Sequence, residues 1–496
     1  MKKKILSIFL VIILGFILIA CNDTDNNNNN NDEKPLSLRE KNPNYDIYYQ
    51  IFIKSFADSD GDGSGDINGI IENLDYLEEL GVTALWMLPF HITDTDWSSY
   101  HGYRVKDYYE INPEYGTMED LEKLIEEVHK RDMKIVMDLV INHTSDTHPW
   151  YAGPNAKSSW FNGYRSFRGG MVDLDKNNPE VVAEIRNIIA FYLEKGINGF
   201  RFDAAKHLFD FDPNAHHLAS QNFLNSLKSF AKNIDPNVLF LGEVFEYNYS
   251  SYDTFYLGLD SLFDFYTASE IWSKVGHSEG KDLYNNINQA YKRYEQFNKD
   301  YIPAVFISNH DIDRIASFGQ FNEARLKQAA SVMLTLPGTP HIYYGEEIGM
   351  KGISYSGDDF NGQGPIYDHY RRSPFLWGET PKQTTWLLPH DNSHSTPTLV
   401  ASRSNSNSLF NHYKTMITLR KDNPALMYGN KFEVWENNTN TLQGIIREYS
   451  DNDVSQKVLV IHNISGSSQS VNVEHVKVLY GNINIPAYGT LVLEIE

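Results

Sequence analysis

Eight short apolar stretches alternate with longer amphipathic stretches between about residues 41 and 426. The short stretches are rich in β-branched and aromatic residues and are mostly bounded by glycine or polar positions, which is typical of buried strands. They cover residues 47–52, 84–88, 134–140, 199–203, 238–243, 260–263, 304–308 and 341–344. Between them, apolar residues recur at helical spacing, as at 67–80, 118–131, 179–195, 222–233, 322–336 and 410–421. Eight strands alternating with helices predict an α/β fold, a (β/α)₈ TIM barrel over residues 41–426.

Two segments depart from a plain barrel. Residues 144–178, after the third strand, show little periodicity and are rich in Gly, Ser, Trp and Tyr. Because loops of that length are usually functional, we expect a short inserted subdomain there. Residues 427–496 lose the helical pattern and predict a C-terminal antiparallel β-domain. Its strand candidates are 443–449, 457–464, 470–473, 476–480 and 490–496.

The N-terminus has the pattern of an export signal. Three lysines at positions 2–4 precede an almost unbroken apolar run over residues 5–20, which is short for a transmembrane helix. The run ends in Leu18-Ile19-Ala20-Cys21, which resembles the lipobox of bacterial lipoproteins. That resemblance implies a signal peptide over 1–20, lipidation of Cys21 and an extracytoplasmic protein anchored to the cell membrane. An uncleaved anchor helix is the alternative.

Charge and composition limit the partners. The Asn-rich stretch 21–40 predicts a flexible tether. The formal charge of −22 argues against nucleic acid as a partner, because its phosphates would be repelled. Apart from residues 5–20, no stretch is apolar enough to span a bilayer, so we expect membrane contact only through the lipid anchor. Cys21 is the single cysteine, so no internal disulfide can form. We expect a monomer.

Three predicted strands end in acidic residues. Asp203 ends the fourth strand, Glu243 ends the fifth, and Asp311 follows the seventh. Barrel enzymes carry their chemistry at these carboxyl ends. A lone acid after a strand is more often a helix cap or half of a surface ion pair, but three acids at matched positions argue against that interpretation.

The spacing of neighbouring strands suits one reaction class. Retaining glycoside cleavage needs two carboxyl groups about 5 Å apart, and adjacent strands lie about 4.8 Å apart. Asp203 and Glu243, at the ends of the fourth and fifth strands, can therefore meet that spacing. The same geometry also permits a metal-dependent hydrolase.

Four stretches together resemble the signature regions of the α-amylase family, glycoside hydrolase family 13. They are 138–143 (DLVINH), 199–207 (GFRFDAAKH), 242–243 (GE) and 307–311 (ISNHD), in the family's order. Further stretches resemble other family segments, namely 65–70 (GDINGI), 100–103 (YHGY), 171–175 (MVDLD) and 338–345 (GTPHIYYG). The resemblance covers about residues 45–350 and implies a glycoside hydrolase acting on α-glucans.

The resemblance also implies a role for each matched acid. Asp203 would be the nucleophile, Glu243 the general acid/base, and Asp311 a clamp on the sugar at the cleavage site. Arg201 would keep Asp203 ionised, as an adjacent cation should. Glu243 would need a raised pKa to begin the reaction protonated.

Other matched residues would bind the substrate. His143 and His310 match histidines that hydrogen-bond the sugar, and Tyr103 matches a tyrosine that packs beneath it. Lys206 and His207 match a pair that lines the acceptor side in α-1,4-acting enzymes.

The stretch from Asp58 to Asp66 spaces its oxygens like the first part of an EF-hand loop. Its twelfth position is Gly69 and not Glu, so an EF-hand is the wrong interpretation. The stretch resembles a structural calcium loop of the family, with ligands from Asp58, Asp60, Asp62, the carbonyl of Ser64, and Asp66. A polar glycine-rich turn is the alternative.

Specificity stays open. The segment 171–175 lies near the group between oligo-1,6-glucosidases and neopullulanases, so mixed α-1,4/α-1,6 activity is an alternative to cleavage of α-1,4 bonds in starch and maltooligosaccharides. A 4-α-glucanotransferase is another alternative, and a non-catalytic glycan-binding accessory protein is an alternative of a different class. Trp150, Trp160 and Phe161 are candidates either for sugar stacking or for core packing.

Overall fold

The computed structural model describes residues 36–211, 216–355, 367–379, 382–387 and 395–496. The predicted signal peptide, Cys21 and most of the predicted tether lie outside the described residues. Residues up to Lys41 form a separate unit, whose described part is a short helix, Leu38–Lys41. In the described part of the chain, no helix combines the length and the apolar character that crossing a bilayer requires.

A closed barrel of eight parallel strands forms the body of the second unit, Asn42–Glu496. In chain order the strands are Tyr48–Ile51, Ala84–Met87, Lys134–Leu139, Gly199–Phe202, Leu239–Gly242, Ser261–Phe263, Ile302–Phe306 and Thr339–Tyr343. All eight predicted strands are present and the predicted barrel is confirmed. The strands are buried along their length because helices cover the outer face.

Helices connect the barrel strands and begin at polar caps. Thr117, for example, forms a capping box with Asp120 at the start of Met118–Lys130. The longer helices are Met118–Lys130, Pro179–Glu194, His216–Lys232, Phe265–His277, Leu283–Phe297, Glu323–Thr335 and Leu409–Asp422. Shorter ones are Ile53–Phe56, Ile67–Glu72, Leu74–Leu80, Pro149–Ala152, Leu399–Ser404 and Pro424–Met427. Single 3₁₀ turns lie at Trp97–Ser99, Ser158–Trp160, Ala205–His207, Tyr249–Ser251, Asp253–Leu257, Ile315–Ser317, Glu346–Ile348 and His369–Arg372.

The prediction of one continuous helix over residues 67–80 is wrong. The helix is interrupted at Asn73, whose side-chain amide donates a hydrogen bond to the carbonyl oxygen of Gly69 at 2.7 Å. A side chain that bonds to the backbone four residues earlier competes with helix continuation. Two shorter helices result.

Two small sheets lie at the carboxyl end of the barrel. The first pairs His91–Thr93 with Val105–Ile111, after the second barrel strand. The second pairs His143–Ser145 with Met171–Asp173. The predicted insert after the third strand is thus closed by a short two-stranded sheet at its base.

The C-terminal segment forms the predicted antiparallel β-domain. Its five-stranded sheet runs in the order Phe432–Val434, Leu442–Ser450, Ser455–Asn463, Thr490–Glu494 and Lys477–Tyr480. A second pair joins Gln469–Ser470 and Asn484–Ile485, so only Ser470 of the strand predicted over 470–473 is in a strand. Arg447, which is fully buried, donates to the carbonyl oxygen of Thr335 on a barrel helix and fixes the domain against the barrel.

Candidate active site

A cavity of about 500 Å³ opens at the carboxyl end of the barrel strands. It is lined by His101, Tyr103, His143, Phe167, Met171, Asp203, Ala204, Lys206, His207, Glu243, Phe245, Asp311, Asp368 and Arg372. The three acids that end predicted strands are therefore brought together, along with four of the six predicted substrate-binding residues. The other two, Arg201 and His310, are buried beneath the cavity.

Asp203 and Glu243 face each other across adjacent strands. Phe202 pairs with Gly242 in the parallel register, so the next residue on each strand is one of the two acids. Adjacent strands lie about 4.8 Å apart, which is close to the spacing that a retaining carboxyl pair needs. The backbone nitrogen of Ala204, which has a left-handed φ of 50°, donates to Oε2 of Glu243 at 3.0 Å. The turn after Asp203 thus orients the second acid.

Arg201 lies between three carboxyl groups. Its Nη1 is 2.7 Å from Oδ1 of Asp203 and 2.7 Å from Oδ1 of Asp138, and its Nη2 is 3.3 Å from Oε2 of Glu243. Asp138 also accepts a hydrogen bond from the hydroxyl of Tyr103 at 3.0 Å. The guanidinium group is 1% exposed. One buried guanidinium group therefore contacts Asp138, Asp203 and Glu243.

Burial raises the pKa of each of the three carboxyl groups around Arg201. Burial raises the pKa of Glu243 to about 7 against the opposing charge of Arg201, so this acid starts largely protonated below neutral pH. Burial also raises the pKa of Asp138 to about 8. For Asp203, burial raises the pKa and the charge of Arg201 opposes that rise.

Asp311 has a different environment. Burial alone would raise its pKa, but the neighbouring His310 and Arg372 outweigh that effect and hold the pKa of Asp311 well below its ordinary value. Nε2 of His310 lies 3.0 Å from Oδ2 of Asp311, and Nη2 of Arg372 lies 3.1 Å from Oδ1. Asp311 is thus an ionised acceptor at neutral pH.

Hydrogen bonds orient the rings of His310 and His143, and burial lowers the pKa of both. The amide nitrogen of Gln50 lies 2.6 Å from Nδ1 of His310, which makes Nδ1 the acceptor and leaves the proton on Nε2. Nε2 also lies 2.7 Å from the hydroxyl of Tyr103. His143 lies with its Nε2 3.2 Å from the carbonyl oxygen of Tyr103, and burial lowers its pKa to about 4. His143 lines the cavity, whereas both ring nitrogens of His310 are bonded within the protein and its ring does not line the cavity.

Lys206 and His207 lie on the side of the cavity next to Glu243. Nζ of Lys206 forms an ion pair with Oε1 of Glu246 at 2.7 Å. Nδ1 of His207 lies 2.6 Å from Oδ2 of Asp210. Lys206 thus joins the turn after the fourth strand to the loop after the fifth, while His207 bonds within its own segment.

Comparison with known families decides the class of the protein. Residues 50–167 and 155–429 match the model of the alpha-amylase catalytic domain, which is more than half of the chain. The chain belongs to the alpha-amylase family. It is a retaining glycoside hydrolase with the barrel that the strand pattern predicts.

The relatives of this chain include both alpha-amylases and a 4-alpha-glucanotransferase. The chain is 35% identical over 438 residues to Alpha-amylase 3 of Dictyoglomus thermophilum, with 82% of each chain covered. It is 30% identical over 470 residues to a 4-alpha-glucanotransferase of Thermotoga neapolitana, covering 86% of this chain and 95% of the relative. The crystal structure of an alpha-amylase from H. orenii superposes with a TM-score of 0.78 at 32% identity, covering 91% of this chain and 100% of that one.

Three acids of the predicted calcium loop, residues 58–66, lie close together in this member of the alpha-amylase family. One carboxylate oxygen each of Asp58, Asp60 and Asp66 lies within 4.8 Å of the others. Asp58 and Asp66 are buried, and among the described residues neither forms an ion pair. The buried hydroxyl of Ser64 has no hydrogen-bond partner there either. Asp62 is outside the three-residue group, and its carboxylate accepts from the backbone nitrogen of Ser64 at 2.7 Å.

Several residues in or behind the cavity wall were not predicted from the sequence. Asp138 stands in a matched motif, but no role was derived for it. Arg372 and Asp368 are ion-paired at 2.8 Å on the long segment after the eighth strand, which carries no periodic signal. Phe245 follows Glu243 by two residues and Phe167 lies in the insert. Trp160, a candidate for sugar stacking, is 4% exposed and donates from its indole to Glu180, so it is a packing residue.

Proposed function

We propose that this enzyme hydrolyses α-1,4-glucosidic bonds in starch and maltooligosaccharides, with Asp203 as nucleophile and Glu243 as acid/base. The observation that carries the proposal is the register pairing of the two acids over the single guanidinium of Arg201. The raised pKa of Glu243, about 7, suits a group that must first donate a proton.

In the first step, a carboxylate oxygen of Asp203 attacks C1 of the sugar while Glu243 protonates the glycosidic oxygen. The C1–O bond to the leaving chain breaks and a glycosyl ester forms on Asp203. In the second step, Glu243, now ionised, takes a proton from water, and the water oxygen displaces Asp203 from C1. Two inversions at C1 give a product with the starting α configuration.

Asp311 accepts hydrogen bonds from the sugar at the cleavage site in this proposal. Its ionised state places a negative charge beside the carbon that becomes positive in the transition state. His143, which lines the cavity, would hydrogen-bond a sugar hydroxyl, and His310 would act by holding Asp311 and Tyr103 in place. The ring of Tyr103, which stacks on His310 with centroids 5.8 Å apart, would pack beneath the sugar.

Transfer to a second sugar is the other candidate function. If a sugar hydroxyl replaces water in the second step, the same residues carry out 4-α-glucanotransfer. The relative named 4-alpha-glucanotransferase supports this candidate. The sequence of residues 171–175 also favours an enzyme that cleaves both α-1,4 and α-1,6 bonds. A non-catalytic binding role is disfavoured because it needs no acid of raised pKa beside a nucleophile.

We further propose a structural calcium ion held by Asp58, Asp60, Asp62, Asp66 and the carbonyl of Ser64. Three carboxylates that converge without a described basic partner, next to an unpartnered buried hydroxyl, fit a hard cation. The ion would neutralise their repulsion and stabilise the loop.

We propose that the enzyme is anchored outside the cytoplasmic membrane through lipidated Cys21, on the basis of the basic and apolar residues 2–20. A monomer is sufficient for activity in this proposal, since one chain supplies every residue that lines the cavity.

A product profile tests the function. Maltoheptaose, pullulan and isomaltose are digested separately, and NMR reads the anomer of the first product. We expect rapid release of α-anomeric maltooligosaccharides from maltoheptaose. Products of the β configuration would contradict the two-step mechanism, products longer than maltoheptaose would favour transfer, and exclusive cleavage of isomaltose would contradict the α-1,4 assignment.

A further inference from the structure

Two segments of the chain supply facing parts of the active-site cavity. The segment after the second barrel strand supplies the hairpin wall, made of His101 and Tyr103. The segment after the third strand, which includes the insert, supplies the insert wall, made of His143, Phe167 and Met171. The walls meet where Nε2 of His143 lies 3.2 Å from the carbonyl oxygen of Tyr103. The separation of the two walls determines how closely a bound sugar can contact both.

A cluster of charged side chains joins the two segments behind these walls. The guanidinium group of Arg104, the residue after Tyr103, lies 2.8 Å from Oδ2 of Asp94 and 2.9 Å from Oδ2 of Asp96. Nη2 of Arg104 also lies 3.9 Å from Oδ1 of Asp146 in the insert. The side chain of Arg104 is only 11% exposed, so solvent screens these contacts less than it screens ion pairs on the surface.

Asp94 also bonds to the start of the insert. Its Oδ2 accepts a hydrogen bond from the hydroxyl of Ser145, and its Oδ1 accepts one from the hydroxyl of Thr147. Ser145 follows His143 of the insert wall by two residues. The carboxylate of Asp94 is buried, and Nζ of Lys106 lies 3.5 Å from its Oδ1. Because a buried carboxylate needs charged and hydrogen-bonding partners, Asp94 ties the hairpin segment to the insert.

The far end of the insert packs on Arg104 as well. A Cβ atom at Gly170 would lie 2.6 Å from Nη2 of Arg104, so the glycine lets the guanidinium group reach the backbone. Gly170 has a φ of +82°, which other residues adopt only with strain. Met171 of the insert wall follows Gly170 directly. Phe167, three residues before Gly170, holds its ring 5.4 Å from that of His143. Arg104 therefore fixes the backbone from which the insert wall projects.

We propose that Arg104 and Asp94 are positioning residues that hold the hairpin wall and the insert wall at the separation that an α-1,4-glucan chain requires. This inference rests on the proposed function and adds to it two residues that set substrate affinity from behind the cavity walls. The walls contact the sugar both before and during bond cleavage, so a displaced wall weakens binding of the substrate and of the transition state alike. Loss of the cluster should therefore raise KM and leave kcat nearly unchanged.

The test measures kcat and KM separately for maltoheptaose in four variants. They are Arg104→Met, Arg104→Lys, Asp94→Asn and Arg131→Met. Arg131 is the matched control, because it forms ion pairs with Asp75 at 2.8 Å and with Glu127 at 2.9 Å but follows the helix Met118–Lys130. Its loss removes an arginine with two carboxylate partners without touching either cavity wall.

We expect KM to rise about tenfold in Arg104→Met while kcat changes by less than about threefold, as loss of positioning predicts. Asp94→Asn keeps the shape of the side chain and removes its charge, so its KM should rise less. Arg104→Lys keeps the charge and should recover part of the affinity, and Arg131→Met should keep both constants. An unchanged KM in Arg104→Met and in Asp94→Asn overturns the proposal, as does a loss confined to kcat, and either result leaves the proposed function intact.

Two measurements do not depend on turnover. In a Glu243→Gln background, calorimetry should show about tenfold weaker binding of maltoheptaose when Arg104→Met is added. Trypsin should cleave after Arg165 and Arg168, which are exposed on the insert, faster in Arg104→Met than in Arg131→Met.

Equal affinity with and without Arg104→Met, or equal rates of trypsin cleavage in Arg104→Met and Arg131→Met, overturns the positioning role. Failure of the unmodified enzyme to cleave maltoheptaose overturns the proposed function, and the trypsin comparison then still decides whether Arg104 holds the insert.

Discussion

Nη1 of Arg201 lies 2.7 Å from Oδ1 of Asp203. This contact opposes the rise that burial imposes on the pKa of Asp203. In Arg201→Met the opposition is lost, so the pKa of Asp203 rises and more of the nucleophile is protonated at a given pH. The acidic limb of the kcat/KM profile should move to higher pH by about one to three units. Arg201→Lys should recover part of the shift, and an unmoved limb in Arg201→Met would show that this cation does not tune Asp203.

The pKa of Glu243, raised to about 7 by burial, predicts the alkaline limb of the profile. The acid must be protonated for bond cleavage, so kcat/KM on maltoheptaose should decline as pH rises through about 7. Glu243→Gln should lower starch hydrolysis by a factor of about 10² to 10⁴. It should affect the first step on α-glucosyl fluoride far less, because fluoride leaves without a proton. Equal losses on both substrates would remove Glu243 from the role of acid.

Lys176 is a buried cation at the base of the insert. Its Nζ donates to the carbonyl oxygen of Asn142 at 2.8 Å, to Oδ1 of Asn142 at 3.0 Å and to the carbonyl oxygen of Leu174 at 3.0 Å. Lys176→Met keeps the apolar stem and removes all three bonds. Oδ1 of Asn142 loses its described donor, while the carbonyl oxygens of Asn142 and Leu174 keep bonds from Leu174 and Asn162. We expect the free energy of unfolding to fall by about 3 kcal/mol. Chemical denaturation measures the change.

The matched control for Lys176 is Lys232, which is 39% exposed and paired with Asp260 at 3.1 Å. Lys232→Met should cost less than about 1 kcal/mol, since exposed ion pairs contribute little. A similar loss in both variants would mean that the buried hydrogen bonds of Lys176 are not what stabilises the insert.

Metal removal tests the acidic loop. Because the carboxylates of Asp58, Asp60 and Asp66 converge, a chelator should lower the Tm and added Ca²⁺ should restore it. Asp58→Asn should reduce this response. A Tm that is the same with chelator and with calcium would contradict the calcium proposal.

The barrel was predictable from the sequence because buried strands appear there as short apolar runs. Each barrel strand is a short apolar run between polar or glycine positions, and even the three-residue strand Ser261–Phe263 carries that pattern. The break at Asn73 was not predictable from periodicity, since apolar spacing continues across it. The hydrogen bond from the side chain of Asn73 to the carbonyl oxygen of Gly69 interrupts the helix there.

The acid cluster was partly predictable for a similar reason. Asp203 and Glu243 end strands, and the barrel topology brings strand ends together. Arg372 and Phe245 could not be found in this way. Arg372 reaches Asp311 across 61 positions of sequence, from the 3₁₀ turn His369–Arg372 in a segment without apolar periodicity. Phe245 resembles any buried loop aromatic until its exposure beside the cavity is known.

In the proposed mechanism, Asp203 forms a covalent glycosyl ester. The most direct measurement is mass spectrometry after incubation with 5-fluoro-α-glucosyl fluoride, whose ring fluorine slows release of the sugar while its leaving group still departs readily. We expect a mass gain of one fluoroglucosyl group, located by peptide fragmentation on Asp203 and absent in Asp203→Asn. Turnover without an adduct, or an adduct on Asp311 or Glu243, would contradict it.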